Sequence, residues 1–379
     1  MTACLVVLQL LPALEQGGVE QSTIEIAQAL VGHGHRALVV CRAGALLPAL
    51  KATGAEHIEM DIGRKSLGSL RHAFTLRRLI ARERVDIVHA RSRLPAWLGW
   101  LALRGMRPHA NGRRAHFVTT VHGLNSASSY SAIMTRGERV ICASATVRAY
   151  VLRHYPDLDE DRLRVVPRGI DIDRFARAPD AAAELRKQVH ALYPMLAGRL
   201  VLTLPARATR LKGHRDAIAL VAELADEGRN VALWLAGADD PQRPHYVDEL
   251  RARVRQFDIA DRVAITAPLE DRAALYAASD VVLQLSRQPE AFGRTVIEAL
   301  AAGRPVLGYA HGGVGELLAA HFPAGMIALG DRGDLRARAA ALLDNLLLDN
   351  PAPPLIAGTL PSLAAMQQAT LDVYAELAH

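Results

Sequence analysis

Cysteine, lysine, aromatic side chains and long apolar runs are all scarce in this chain, and each scarcity narrows what it can be. Only three cysteines occur in 379 residues. Cys4, Cys41 and Cys142 are odd in number, far apart and set in apolar runs such as Val140-Ile141-Cys142-Ala143. Buried free thiols in a reducing cytosol fit that pattern better than a disulfide framework or a thiolate metal site. No stretch reaches the ~18 apolar residues of a spanning helix. Thr2 to Leu14 has the apolar character of a signal-peptide core. No Lys or Arg precedes it, however, Gln9 interrupts it, and Glu15-Gln16-Gly17-Gly18 follows in place of a small-residue cleavage site. It reads as a first buried strand, and the expected location is cytoplasmic. Aromatic residues make up 4% of the chain. Its most basic segment has no interleaved exposed aromatics on which bases stack and no nucleic-acid reading motif, which argues against a nucleic-acid partner.

What is present is ordinary globular composition, with 50% hydrophobic and 22% charged residues and no low-complexity tract or repeat. The length suits two domains that each bury a core. The net charge of +6 is unevenly spread. Between Asp61 and Thr120 thirteen Lys and Arg face only Asp61, Glu83 and Asp86, so this segment carries +10 and the remainder −4. Such a patch suits an anionic partner, a phospholipid surface or a phosphorylated glycan among them. It also suits a chain that uses arginine as its general solvating cation, since forty-one Arg accompany four Lys.

Short β-branched runs alternate with stretches of helical periodicity, the pattern of β-α units in a parallel sheet. The first series of expected strands is Leu5–Leu10, Ala37–Cys41, His57–Met60, Asp86–His89, Phe117–Val121, Val140–Ala143 and Leu163–Val166. A second begins afresh with Leu200–Leu204, Val231–Ala236, Val263–Ile265, Val281–Leu285 and Val306–Gly308. The reading is α/β, with two doubly wound domains in tandem. Expected bounds are 1–185, 186–358 and a tail, 359–379, whose helix follows Pro-rich Asn350–Pro354 and packs back on the first domain.

Ligands of open parallel sheets bind beyond the carboxyl ends of the strands. Gly17-Gly18 follows the first strand and opens a helix, which is a plain turn or a place where backbone N–H groups approach an anion or sugar. His122-Gly123 ends another strand, where the imidazole is a satisfied structural group or a functional one. After Leu200–Leu204 come Arg207 and Lys212-Gly213. A planar fork and a mobile point charge there suit a pyrophosphate, and would stabilise it as a leaving group. The richest stretch is Glu290-Ala291-Phe292-Gly293-Arg294-Thr295-Val296-Ile297-Glu298, where Gly293 opens a helix whose free N–H groups can cap a phosphate. Glu290 and Glu298 bracket that helix start, so they can accept bonds from sugar and ribose hydroxyls. His311-Gly312-Gly313-Val314-Gly315-Glu316 is a further glycine-rich helix start.

Taken in order, Gly17-Gly18-Val19-Glu20, Thr120-Val121-His122-Gly123, Pro167-Arg168-Gly169-Ile170-Asp171 with Phe175, Arg207 with Lys212-Gly213, and Glu290 to Glu298 resemble the motifs of glycosyltransferase family 4. The resemblance spans nearly the whole chain. It implies the GT-B fold, two Rossmann-like domains facing across a cleft with a C-terminal helix crossing back to the first. It further implies a retaining hexosyltransferase that takes a nucleotide-sugar donor, a UDP-sugar favoured. Arg207 and Lys212 would neutralise the diphosphate, while Gly17, Gly18, Phe292, Gly293, Arg294 and Thr295 would line the donor. Glu290 would hold the sugar, Glu298 the ribose, and His122 would lie at the reaction centre. No protein nucleophile, cofactor or metal is implied. Asp171-Ile172-Asp173 and Asp159-Glu160-Asp161 read as Asp-x-Asp, a metal-nucleotide signature of the other main glycosyltransferase fold, but the first belongs to the Pro-x-Gly-x-Asp turn and the second to an acidic loop.

Two departures stand out. Arg168 replaces the Asn usual in Pro-x-Gly-x-Asp and is expected to add a phosphate or acceptor contact, and Ala206 stands where Gly commonly precedes the Arg. Acceptor recognition is expected on the first domain, with Arg91, Arg93 and Arg168 as candidate contacts. The acceptor would be an envelope glycan or glycolipid such as a lipopolysaccharide core, with the 61–120 segment touching an anionic membrane surface peripherally. Leu94–Leu101, with Trp97 and Trp100, reads as a core helix. A nucleotide-sugar epimerase of the same fold and a non-catalytic two-domain binding protein are the rival readings. A dehydrogenase is disfavoured, since no Gly-x-Gly-x-x-Gly follows the first strand.

Overall fold

The computed structural model describes residues 4–15, 17–64, 66–109, 112–176, 179–347 and 360–378. The chain divides into two units, one of Met1–Arg168 with Leu363–His379 and the other of Gly169–Ser362. Each is built on one all-parallel sheet. The first holds β1 (Val6–Ala13), β2 (Arg36–Arg42), β3 (Glu56–Glu59), β4 (Ile87–Ala90), β5 (His116–Val121), β6 (Arg139–Cys142) and β7 (Leu163–Val165), in the order β3-β2-β1-β4-β5-β6-β7. The second holds β8 (Leu200–Thr203), β9 (Val231–Ala236), β10 (Val263–Thr266), β11 (Val281–Gln284), β12 (Val306–Tyr309) and β13 (Met326–Ile327), in the order β10-β9-β8-β11-β12-β13. Together these are the two Rossmann-like α/β domains expected.

Near-continuous apolar strands are what a sheet covered by helices on both faces requires. Val7, Leu8, Leu10 and Leu11 of β1 are all fully buried, as are Val231 to Leu235 of β9 within 1%. In each sheet the strand order reverses once, between β1 and β4 and between β8 and β11. Those reversals open the crevices in which ligands of such sheets bind. Gly17 and Gly18 follow β1, Arg91 and Arg93 follow β4, Arg207 and Lys212 follow β8, and Ser286 to Glu290 follow β11.

The division between the units falls at Arg168/Gly169, earlier than the 185/186 read from the sequence. Packing is the reason. Ile170 and Phe175 are buried in the second unit's core, where the Phe175 ring meets Tyr276 edge to face at 5.9 Å. The final helix, Leu363–Ala375, puts Met366, Leu371, Val373 and Tyr374 into the core of the first unit beside Val7, Leu11 and Ile24. The Pro-rich Asn350–Pro354 lies outside the described residues, as does the expected 358/359 boundary.

Two expectations need correcting. Cys41 and Cys142 are buried, with burial pushing both thiols up to about 12, but Cys4 precedes β1 and is exposed. β13, two residues long, was absent from the expected strands. Trp97 and Trp100 are half-buried on helix Arg93–Leu103, Trp97 donating to the Tyr130 carbonyl at 3.1 Å and Trp100 lying under Arg104 and Arg136. Among the described residues no helix is long and apolar enough to cross a membrane.

Candidate functional site

At the carboxyl end of β8 the chain turns through Pro205 and Ala206 to Arg207, which is exposed and whose guanidinium has no partner among the described residues. Lys212 closes a short 3-10 turn, Arg210–Lys212, and Gly213 starts the helix His214–Asp226. Gly213 has φ +78°, and a Cβ there would collide with the Leu285 carbonyl oxygen, so the backbone itself demands glycine. The Lys212 side chain reaches the loop after β11. Its Nζ lies 2.5 Å from Glu290 Oε1, which also accepts from Ser286 Oγ at 2.6 Å, while Oε2 accepts from Gln284 Nε2 at 3.2 Å.

That loop is held from three sides. Arg287 N–H donates to the Leu211 carbonyl at 2.7 Å, Gly313 N–H donates to the Glu290 carbonyl at 2.7 Å, and His311 Nε2 bonds the Ser286 carbonyl at 2.7 Å. The loops after β8, β11 and β12 thus form one bonded set, which fixes Glu290 against Lys212. Gly293 follows at φ +95° and opens helix Arg294–Ala301 without a side-chain cap, leaving its first turn suited to an oxyanion.

Glu298 and Phe292 are placed differently from a simple ligand-facing role. Glu298 is 1% exposed, and both oxygens are engaged. Oε2 accepts from Arg272 Nε at 2.8 Å and Tyr276 OH at 2.9 Å, and Oε1 from Arg294 Nε at 2.8 Å. A ribose hydroxyl reaches this buried carboxylate past its arginine partners, Arg272 and Arg294, whose side chains are 44% and 32% exposed. Phe292 packs in the core, so its backbone alone can meet a ligand. Thr295 and Arg294 are half-exposed at the helix start.

In the first unit a polar cluster sits inside the sheet's carboxyl end. Gly17 and Gly18 are exposed where helix Gly18–Gly32 begins. A Cβ on Gly18 would meet nothing within 4 Å, so the fold does not require glycine there. Arg168 donates through Nη1 to the Gly18 carbonyl and through Nη2 to His122 Nδ1, both at 2.6 Å. Because guanidinium can only donate, Nδ1 must accept and the ring proton sits on Nε2. His122 Nε2 is buried with no partner among the described residues, and burial, reinforced by the Arg168 charge, holds the imidazole neutral with a pKa well below its ordinary value.

Arg91 is 3% exposed rather than turned to an acceptor, because Gln9 Oε1 takes its Nε at 2.7 Å and Ser22 Oγ its Nη1 at 3.1 Å. Its Nη2 has no hydrogen-bond partner among the described residues. Arg91 and His122 line a cavity of about 20 Å³ with Ser22, His89, Thr120 and Arg168, room for a single water. Arg93 is half-exposed, bonded to Ser131 Oγ at 3.3 Å and lying over the Tyr130 ring. Arg168 thus spends one donor on His122 and one on the Gly18 carbonyl, two of the five N–H groups of its guanidinium.

Residues 16–174 match the profile of Glycosyltransferase Family 4, and residues 196–352 match that of Glycosyl transferases group 1. The chain belongs to the family 4 glycosyltransferases. A glycosyltransferase of Rickettsia africae has the same fold, with a TM-score of 0.86 at 27% identity over 99% of this chain and 98% of that one. The 2-deoxystreptamine glucosyltransferase of Streptomyces kanamyceticus is 34% identical over 193 residues, 50% of this chain and 46% of the relative. The D-inositol 3-phosphate glycosyltransferase of Streptomyces scabiei is 28% identical over 366 residues, 84% and 79% of the two chains. Against the first two curated relatives the chain spans about half of their length.

Sequence reasoning missed the partners of these family residues. Ser286 and Gln284, which hold Glu290, stand beside it in sequence and were within reach of a strand-end search. Tyr374, whose hydroxyl bonds His89 Nδ1 at 2.6 Å across 285 positions, carried no local signal.

Proposed function

We propose that this chain transfers a hexose-type sugar from a nucleotide diphosphate donor, a UDP-sugar first among them, to an acceptor, with retention of the anomeric configuration. The observation that carries the reading is the Lys212–Glu290 pair at the same sheet reversal as Arg207, which has no partner among the described residues. Arg207 and Lys212 neutralise the diphosphate, and Glu290 accepts from the sugar hydroxyls. The bond from the anomeric carbon to the phosphate oxygen breaks, the acceptor oxygen bonds that carbon on the same face, and the departing phosphate takes the acceptor proton. His122, fixed as an Nε2–H donor, serves the sugar. The two cations supply the charge that a divalent ion would otherwise bring, so turnover proceeds in a chelator.

The test is release of nucleoside diphosphate from UDP-, GDP- and ADP-sugars without acceptor. Slow release from one donor, lost in Glu290→Ala, supports the reading. Absence of release or binding with every donor overturns it, and loss of release in chelator with recovery in Mg²⁺ or Mn²⁺ overturns its metal-free part.

The acceptor in this proposal is an anionic envelope glycan or lipid-linked sugar, of which a lipopolysaccharide core is one, met at the inner face of the cytoplasmic membrane. The basic 61–120 segment supports it. So does helix Arg71–Glu83, where Phe74 is 71% exposed, against the expectation of no exposed aromatic in this segment, and shares a face with Arg71 and Arg78. A bared aromatic among cations suits a lipid surface with anionic headgroups. Phosphatidylglycerol vesicles at low salt should retain the protein and lose it in Phe74→Ser with Arg78→Glu. Equal retention of both forms would remove this part of the proposal.

A further inference from the structure

The second unit carries another cationic pocket, separate from Arg207, Lys212 and Glu290. Arg210, Arg215, Arg253, Arg287 and Arg332 line a space of about 350 Å³ with Gly213 and Asp216. Five guanidinium groups around one pocket repel each other unless carboxylates or a bound anion offset them. Glu249 takes both Arg210, at 2.6 Å, and Arg215. Asp216 takes Arg287 through two nitrogens, at 2.7 and 3.0 Å, and Glu223 takes Arg332. Two positive charges stay unmatched by these three carboxylates. Arg253 has no acidic partner among the described residues, and its Nε is buried without a hydrogen bond.

A second observation points the same way. Tyr246 lies on helix Pro244–Gln256 with Glu249 and Arg253, is 8% exposed, and has a hydroxyl with no partner among the described residues. Its ring sits against Arg210, whose guanidinium carbon is 5.2 Å from the ring centroid. Burial raises the phenol's pKa, and the charges of Arg215, Arg210 and Arg253, three of the arginines that line the pocket, pull it down. Buried hydroxyls and guanidinium nitrogens are normally bonded. Here two such donors stand beside an excess of cations, at the N-terminal end of the 13-residue helix His214–Asp226.

We propose that this pocket binds a small soluble phosphate-class anion, inorganic phosphate or pyrophosphate in chemistry, at a site distinct from that of the donor diphosphate. Arginine forks match phosphate oxygens two at a time, and a tetrahedral oxyanion offers enough acceptors to satisfy Tyr246 Oη and Arg253 Nε together. The volume suits a ligand of that size, and four of the five arginines are exposed enough to admit it.

Calorimetric titration of the full chain with inorganic pyrophosphate tests this. Binding should persist in Lys212→Ala, weaken about tenfold in Arg253→Ala and in the exposed Arg332→Ala, and weaken about threefold in Tyr246→Phe. Circular dichroism of each variant establishes that it is folded. Pyrophosphate binding that disappears in Lys212→Ala and is unchanged in Arg253→Ala and Arg332→Ala puts the anion at the donor residues and overturns the proposal. So does the absence of binding at millimolar concentration. Retention on phosphatidic acid vesicles that depends on Arg253, with no binding of free pyrophosphate, also overturns it by assigning the pocket to a lipid headgroup. Failure of donor hydrolysis would leave this titration untouched, so the two readings fail separately.

Discussion

Lys212 Nζ and Glu290 Oε1 lie 2.5 Å apart, so the cation proposed for the diphosphate and the carboxylate proposed for the sugar form an ion pair with each other. Both side chains are partly exposed, at 32% and 21%. A pair this open to water is worth on the order of 0–1 kcal/mol, and a diphosphate and a sugar hydroxyl can replace it at little cost. Ser286 and Gln284 keep Glu290 in place when the lysine turns to the phosphate.

The pair should therefore behave as a unit in catalysis. Lys212→Ala and Glu290→Ala are each expected to lower nucleoside diphosphate release by about 10²–10³, the scale of one lost charge-stabilising group. The double variant should fall little below either single one. Steady-state rates of the three variants decide it. Strict multiplication of the two losses would mean that the residues act independently.

The buried imidazoles give a pH dependence with a defined sign. Burial first, and Arg charges next, hold His89 and His122 well below the ordinary histidine range. Unfolded chains protonate these rings near pH 6.5 while the folded unit does not. Stability from their neutrality is complete above about pH 6.5 and declines as pH falls below it, by about 1.4 kcal/mol per pH unit for each ring. Urea denaturation at pH 7.5 and 5.5 should show a smaller loss in His89→Gln with His122→Gln than in the parent chain. Equal losses would refute the neutral assignment.

Much of this architecture was legible because its signals are local. Runs such as Val231–Ala236 are apolar throughout and bounded by turn residues, so the strands that carry Arg207, Lys212 and Glu290 were readable without coordinates. β13 was not, since Met326 and Ile327 are two residues between a 3-10 turn at Pro323–Gly325 and a loop, and strandness there comes from pairing with β12 alone. Side-chain commitments were less readable still. Nothing in the run around Arg91 tells that Gln9 and Ser22 bury it, and nothing near Glu298 tells that Arg272 and Tyr276 occupy its carboxylate. Those are tertiary facts set by distant residues, whereas a helix-opening glycine is written in one place.

Two glycines of the site separate folding from ligand approach. Gly213→Ala forces a side chain into a left-handed backbone and against the Leu285 carbonyl, and should lower the stability of the second unit by more than about 2 kcal/mol. Gly18→Ala meets nothing within 4 Å, so its melting temperature should stay within about 2 °C of the parent. If the Gly18 backbone meets the donor, the KM for the nucleotide sugar should still rise. Unchanged kinetics in a fully stable Gly18→Ala would make this glycine pair a plain turn.

Arg168 offers the sharpest test of His122, because it acts through that ring. Its two bonds, to His122 Nδ1 and to the Gly18 carbonyl, both at 2.6 Å, leave the imidazole one tautomer. An asparagine amide is shorter and presents either a donor or an acceptor, so Arg168→Asn frees the ring to carry its proton on Nδ1. Loss of one charge-assisted bond, about 1.4 kcal/mol, corresponds to about tenfold in rate. A structural role alone would lower stability and leave the tautomer and the pH profile where they were. A positioning role predicts two further changes. Nitrogen chemical shifts of the ring should move toward the Nδ1–H form. The acid limb of the pH–rate profile should shift to higher pH, since removing a cation that depresses the His122 pKa lets it rise. Arg168→Lys, which keeps the charge and one donor, should restore most of both.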